Sequence, residues 1–217
     1  PLRWKKPRRI FVCSMTDLFQ DDVRPEWLLA IFSVMWRAPK HTFQVLTKRP
    51  GRMRVFVTKH LALCNEIAHG EHQWPLSNVW LGVSAENQQY ADERIPLLLD
   101  TPAAVRFVSA EPLLGPIRFA PDWLSAITPP DWRPNRDLPL DAALDWVIVG
   151  GESGPGWRPM DGCWAEEIRD QCQAAGVAFH FKQVGGITHS AGGRLLDGRT
   201  WDEFPQEVLN GTIAPLS

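Results

Sequence analysis

No stretch of the 217 residues approaches the ~20 consecutive apolar side chains that a membrane-crossing helix needs, and no charged-then-apolar leader opens the chain. A helical membrane anchor and a membrane partner are therefore not expected. Cysteine is scarce: Cys13, Cys64, Cys163 and Cys172 show neither C-x-x-C nor zinc-finger spacing. That argues against a disulfide framework and against a metal site built from thiolates. Cys172 falls at helical spacing from Trp164 and Ile168, the place of a buried free thiol, and such thiols suit a reducing cytoplasm. Excess charge of one sign is missing too. The 23 Lys and Arg against 25 Asp and Glu leave a net charge of −2, unlike the strong basic excess of proteins that bind nucleic acid or acidic membranes with their whole surface.

Familiar catalytic phrases are also absent. "GGESGPG" (150–156) lacks the G-x-G-x-x-G order of a dinucleotide turn, and no Walker lysine follows it. Neither Ser84 nor Ser109 stands in a G-x-S-x-G elbow, and the histidines show no H-E-x-x-H spacing. No metal ligand is therefore assigned.

What is present is rhythm. Hydrophobic residues make up 44% and charged residues 22%, enough for one sizeable core. Strand-like runs rich in β-branched and aromatic residues occur at 9–17, 41–48, 78–86, 105–111, 144–152 and 177–183. Helical patterns separate them at 25–37, 50–69, 88–99 and 162–175, the last stopped by Gly176. Strand and helix alternating this often imply right-handed βαβ units on a parallel sheet. The expectation is an α/β fold with six recognisable strands, either an open doubly wound sheet or a closed or partial (βα) barrel. Residues 1–184 read as one barrel-like domain, and 185–217 as a glycine-rich C-terminal extension packed on it. Seven prolines in 112–139 rule out a regular crossover helix there and predict a long loop. Asp197-Gly198 predicts a hairpin turn.

Ligands of parallel α/β folds bind at the carboxyl ends of the strands. Here those ends deliver Asp17, Lys48, Glu86, Glu111, Glu152 and Lys182. Period-two alternation puts His180 with Lys182, Glu111 with Ser109, Glu86 with Ser84 and Lys48 with Gln44. Gly150 and Gly151 let backbone and ligand approach closely. Four carboxylates against two lysines and one histidine leave an excess of negative charge. A sulfonium, amine or divalent cation would relieve it; so would internal pairing of both lysines with two glutamates. A second feature is "RWKKPRR" (3–9), which offers Lys5, Lys6, Arg8 and Arg9 to phosphates, with "KRPGRMR" (48–54) as a further basic cluster.

The blocks "PRRIFVCSMTDLF", "HTFQVLTKRPGRM", "NVWLGVSAENQ", "VRFVSAEPLLGPI", "LDWVIVGGESGPGWRPM" and "LDGRTWDEFP" together resemble a phage-associated protein family of unknown function grouped with the radical S-adenosylmethionine barrels. The resemblance runs over nearly the whole chain, in order. It implies a TIM-like partial (βα) barrel that binds S-adenosylmethionine and a substrate at the strand ends. Lys48, Ser84, Glu86, Ser109, Glu152 and Asp17 would hold the cofactor; Lys182, His180 and Glu111 would carry the chemistry. Members of that family ordinarily have, upstream of these blocks, a tryptophan- and cysteine-rich segment ending in a C-x-x-C-Y-like phrase. In radical S-adenosylmethionine enzymes such cysteines hold a [4Fe–4S] cluster. That segment, with the first strand, is expected to be missing here, and radical activity is expected only where it is present. The alternative expectation is a nonenzymatic nucleic-acid module using the basic N-terminus. A carboxylate-and-metal hydrolase or lyase has no ligand spacing in its favour.

Overall fold

The computed structural model describes residues 1–13, 15–61, 74–125, 142–188 and 190–205, together with two short strands near the C-terminus. Six parallel strands follow one another in chain order: β1 (Arg9–Val12), β2 (Thr42–Thr47), β3 (Val79–Ser84), β4 (Val105–Ala110), β5 (Trp146–Gly150) and β6 (Ala178–Gln183). The sheet curls into a half-barrel, which selects the partial barrel among the architectures left open by the sequence. Helices α1 (Pro25–Trp36), α2 (Pro50–Val55), α3 (Gln88–Leu99), α4 (Pro121–Leu124) and α5 (Gly162–Ala175) fill the crossovers, and α2 runs on as a π-helical turn at Phe56–Leu61. A small antiparallel pair, β7 (Val208–Leu209) and β8 (Thr212–Ile213), stands apart. The rest of the helix expected to reach residue 69, and much of the proline-rich loop, lie outside the described residues, as do Cys64 and His189.

The elements end where local chemistry ends them. β1 stops earlier than the apolar run suggests, because Cys13 takes a left-handed φ of 57° that an extended strand cannot accommodate. Asn87 caps α3 by accepting from the Tyr90 N–H, and Gly176, at φ 72°, closes α5. Asp197 and Gly198, at φ 53° and 75°, make the two-residue turn of the expected hairpin, with Leu196 bridged to Arg199.

Every residue of β3, β4 and β5 is buried, which explains their nearly continuous apolarity. Outward-facing Val45, Leu81, Val108, Val149, Phe179 and Phe181 join the helices in the main core. Inward-facing Trp80, Val105, Phe107, Trp146 and Ile148 form a second, separate cluster inside the curl. Phe107 lies directly over Gly82, where a Cβ would come within 2.5 Å of its ring. Burying a phenylalanine there is worth about 2–3 kcal/mol and gives the concave face a solid floor.

The C-terminal tail covers the outer edge of β6. The Phe181 N–H donates to the Trp201 carbonyl at 2.9 Å, and the Glu203 N–H donates to the Phe179 carbonyl at 3.2 Å. Phe204 then reaches across the curl to lie 3.9 Å beneath the Arg9 guanidinium of β1. A cation–π contact thus joins the two sides of the half-barrel. Among the described residues, no helix is long and apolar enough to cross a membrane.

Candidate functional site

Parallel register stacks the inward-facing side chains in layers. Leu46, Gly82, Phe107, Trp146 and Ala178 form the floor. Above it, Ser84 stands beside Ser109, with Ile148 and His180 next in line. Both serines are only 4% exposed, and neither hydroxyl has a hydrogen-bond partner among the described residues. Neither oxygen is among the buried unsatisfied atoms, so each keeps a solvent-accessible edge, and the two stand side by side as polar groups open to an occupant.

Charged groups make the next layer. Lys48 Nζ lies 2.5 Å from Glu86 Oε1, and Lys182 Nζ lies 2.7 Å from Glu111 Oε1. The internal pairing foreseen as an alternative therefore forms, and it neutralises two of the four carboxylates. The pairs are lopsided. The Glu86 side chain is 7% exposed, whereas those of Lys48 and Lys182 are 55% and 52% exposed. Fixed acids meet cations on long stems free to move. Burial pushes the Glu86 carboxyl up, but the Lys48 hydrogen bond, a backbone hydrogen bond and the charges of Lys48 and Arg94 outweigh it, and the net position is below the ordinary carboxylate range.

Arg94 is the residue the sequence did not disclose as part of this site. Its Nη1 donates to Glu86 Oε2 at 3.0 Å and to the Ser84 carbonyl at 2.9 Å, and its guanidinium stacks 4.1 Å from the Tyr90 ring. Its buried Nε has no partner. The signal was available: Ala91, Ile95 and Leu98 form the buried stripe of α3, and Arg94 sits in that stripe as a lone charge.

Two of the six charged strand ends do not join this group, because they are engaged by their own loops. Asp17 Oδ1 accepts from the Thr47 hydroxyl at 2.7 Å and the Phe19 N–H at 2.9 Å, while Oδ2 accepts from the Lys48 N–H at 2.8 Å. It fastens the loop before α1 to the end of β2. Glu152 is gripped at both oxygens by Arg158, at 2.8 Å each, and accepts the Arg158 N–H as well. The side-chain hydrogen bonds from Arg158 hold its carboxyl down at about 2. The two glycines before it also serve the protein itself. A Cβ on Gly150 would press within 3.3 Å of the Glu111 carboxylate, and one on Gly151 would sit 1.8 Å from the Val184 carbonyl oxygen.

His180 shares a face with Lys182, as alternation requires, but it leans toward the aromatic floor. Its ring lies 6.0 Å from Trp146, edge-on, and 5.5 Å from Phe204. Its buried Nδ1 has no hydrogen-bond partner and stands 3.7 Å from Asp202. Burial holds its pKa below the ordinary histidine value; Asp202 pulls upward, while Arg194, Lys182 and Arg9 push down with the burial.

The described cysteines do not fit an iron–sulfur cluster. Cys13 follows β1, Cys163 opens α5, and Cys172 is buried in the core with its thiol pushed up to about 12. Among the described residues no group of three His, Cys, Asp or Glu side chains is arranged to hold a metal ion. The second basic cluster is likewise spent on structure. Arg49 pairs with Asp17, Arg52 donates to the Gln20 and Val23 carbonyls, and Arg54 pairs with Asp100. A cavity of about 580 Å³ opens at the opposite, N-terminal end of the sheet, between Val105, Asp145, Gln173 and Phe204. Its carboxylates are already used: Asp145 accepts the Arg106 N–H, and Glu203 accepts from Gln173 and the Phe179 N–H. Among the described residues the buried polar atoms without a partner, Arg94 Nε and His180 Nδ1, belong to α3 and to the layer beneath the other end.

A family model described as "Protein of unknown function (DUF5131)" matches residues 1–205. No curated protein and no solved structure matches the chain.

Proposed function

The chain belongs to this family of uncharacterised proteins, and on that premise we propose that the concave rim binds S-adenosylmethionine together with a small substrate, as the core of a radical S-adenosylmethionine-like, phage-associated protein. The observation that carries the reading is the neighbouring residues Ser84 and Ser109, largely buried but with hydroxyls that reach solvent and bond to no described residue, beneath two lysine–glutamate pairs. S-adenosylmethionine is a zwitterion with a sulfonium and a hydroxyl-bearing ribose. Glu86 and Glu111 suit its cationic groups, Lys48 and Lys182 suit its carboxylate, and the serines suit neutral polar groups. The two lysines, being exposed, can exchange a glutamate for a ligand without leaving a buried charge alone. Arg94 keeps Glu86 ionised and aimed during that exchange.

When bound, S-adenosylmethionine supplies an activated methyl group or, on one-electron reduction, a deoxyadenosyl radical. The described cysteines do not assemble a cluster for the second route. What this chain's own residues provide is binding and orientation, with Lys182 donating to Glu111 at 2.7 Å within reach of the rim.

The test is calorimetric titration of the protein with S-adenosylmethionine, repeated on Ser84→Ala/Ser109→Ala and Glu86→Gln. Micromolar to sub-millimolar binding that weakens at least tenfold in both variants supports the proposal. Absence of heat and of thermal stabilisation at millimolar ligand, or binding indifferent to both variants, overturns it.

A further inference from the structure

A second surface lies at the opposite end of the barrel and does not depend on the rim. The first nine residues are all exposed, yet they are not a loose arm. His41, 1% exposed, acts as the post on which they hang. Its Nδ1 accepts the Arg8 N–H at 3.2 Å, which leaves Nε2–H to donate to the Pro1 carbonyl at 3.1 Å. The Thr42 N–H donates to the Arg8 carbonyl at 2.9 Å, and Trp4 meets the His41 ring edge-on at 5.8 Å. Docking the arm on His41 brings its cations beside those of the turn that carries His41. Arg3, Lys5, Lys6, Arg8 and Arg9 thereby join exposed Arg37 and Lys40.

None of these seven cations has a carboxylate partner among the described residues. The contrast with the second basic cluster, where Arg49, Arg52 and Arg54 are all engaged, is direct. The acids of this part of the chain, Asp17, Asp21, Asp22 and Glu26, precede or open α1 and so belong to the other end of the strands. On the adjoining tail Asp202 is taken by Arg194, and Glu203 by Gln173 and the Phe179 N–H. A protein of net charge −2 thus gathers seven cations without a carboxylate partner at this end, six on the arm and turn and Arg9 at the edge, stacked on Phe204. In its midst Trp4 is 41% exposed, with the Arg8 guanidinium 4.9 Å from its ring centroid.

We propose that this patch, formed by Arg3, Lys5, Lys6, Arg8, Arg9, Arg37 and Lys40 around Trp4, binds the phosphate backbone of a nucleic acid. Four of the seven are arginines, whose forked donors match phosphate oxygens in pairs. The exposed indole adds a face on which an unpaired base stacks. The cations are spread over a folded arm and a helix-end turn, a breadth that suits a repeating phosphate chain better than a single anion.

The experiment is fluorescence anisotropy of the full chain with labelled mixed-sequence 20-mer DNA, single-stranded and duplex, between about 50 and 200 mM salt. The variant is Lys5→Gln/Lys6→Gln/Lys40→Gln, whose three side chains are exposed and make no hydrogen bond or ion pair among the described residues; its unfolding midpoint is measured alongside. Lys59→Gln, an exposed change elsewhere, is the control. Affinity should fall steeply with salt. In the triple variant the log–log salt slope should drop by about 2–3, and binding at the lowest salt should weaken at least about tenfold. The control should match the parent. No binding at the lowest salt, or equal slopes for parent and triple variant, overturns the proposal. So does retention on phosphatidylserine vesicles under conditions where DNA is released, since that outcome assigns the patch to a lipid surface.

Discussion

Lys182 Nζ and Glu111 Oε1 meet at 2.7 Å across the end of the half-barrel, and they do so because residue 150, behind the carboxylate, has no side chain. Three glycine substitutions, one behind this pair, one beside it and one in a remote helix as a reference, should have different outcomes. Gly150→Ala puts a Cβ 3.3 Å from a carboxylate that can shift. It should cost under about 1 kcal/mol of stability yet weaken ligand binding at the rim. Gly151→Ala drives a Cβ into the Val184 carbonyl at 1.8 Å, which only main-chain movement relieves, and should cost at least about 3 kcal/mol. Gly51→Ala in α2 meets nothing within 4 Å and should stabilise by about 0.5–1 kcal/mol. Urea denaturation of the three variants, with ligand titration of the first, checks the order.

Arg94 and Glu86 form a pair buried on both sides, with side chains 8% and 7% exposed. Arg94→Met should cost about 3–5 kcal/mol, since Glu86 keeps only the mobile Lys48 as its partner. Glu86→Leu in the same background should recover part of that loss. A double-mutant cycle by denaturant unfolding reads the coupling; strictly additive costs would mean the pair is not coupled.

The Glu152 carboxyl, held by Arg158 at about 2, should remain ionised in acid that protonates ordinary glutamates. A depressed folded-state pKa adds stability above the ordinary value of 4.5, and that contribution disappears as pH falls through about 2. Carbon-detected NMR titration should place the midpoint near 2 in the parent. In Arg158→Ala the midpoint should return toward the ordinary value.

His180 titrates in the opposite sense. A histidine whose folded pKa lies below its unfolded value binds protons more readily in the unfolded chain, so stability is full above the ordinary 6.5 and declines as pH drops below it. His180→Phe, which suits the neighbouring Trp146 and Phe204 rings, should flatten the stability profile between about pH 7 and 5. An unchanged acid slope in that variant would assign the sensitivity to another group.

The strands and helices were legible because period-two and near-3.6 patterns depend on neighbours in sequence. α3 and α5 run from the residues expected to start them to the residues expected to end them. The grouping of Lys48, Glu86, Glu111 and Lys182 was legible for the same reason, since strand ends of a parallel sheet meet by construction. The fates of Asp17 and Glu152 were not. Asp17 finds its partners some 30 residues away, and Glu152 is claimed through a loop fold that places Arg158 over it. Nothing in a charge pattern distinguishes a carboxylate facing a ligand from one tying down its own loop. The tail escaped detection as a cover for β6 because its residues 201–204 pair through the main chain and Phe204 acts across the curl, neither of which leaves a periodic trace.

At the β5–β6 corner of the rim, Gly151, Gly185 and Gly192 press main chain against main chain, each with less than 2.5 Å to spare for any added carbon. That corner therefore has almost no vocabulary of side chains through which descendants of this protein could vary. Side-chain variety at the rim is left to the β2 to β4 arc, where Lys48, Ser84 and Ser109 stand. Half of the mouth is thus set by geometry that tolerates little change, and selection has the other half to work with.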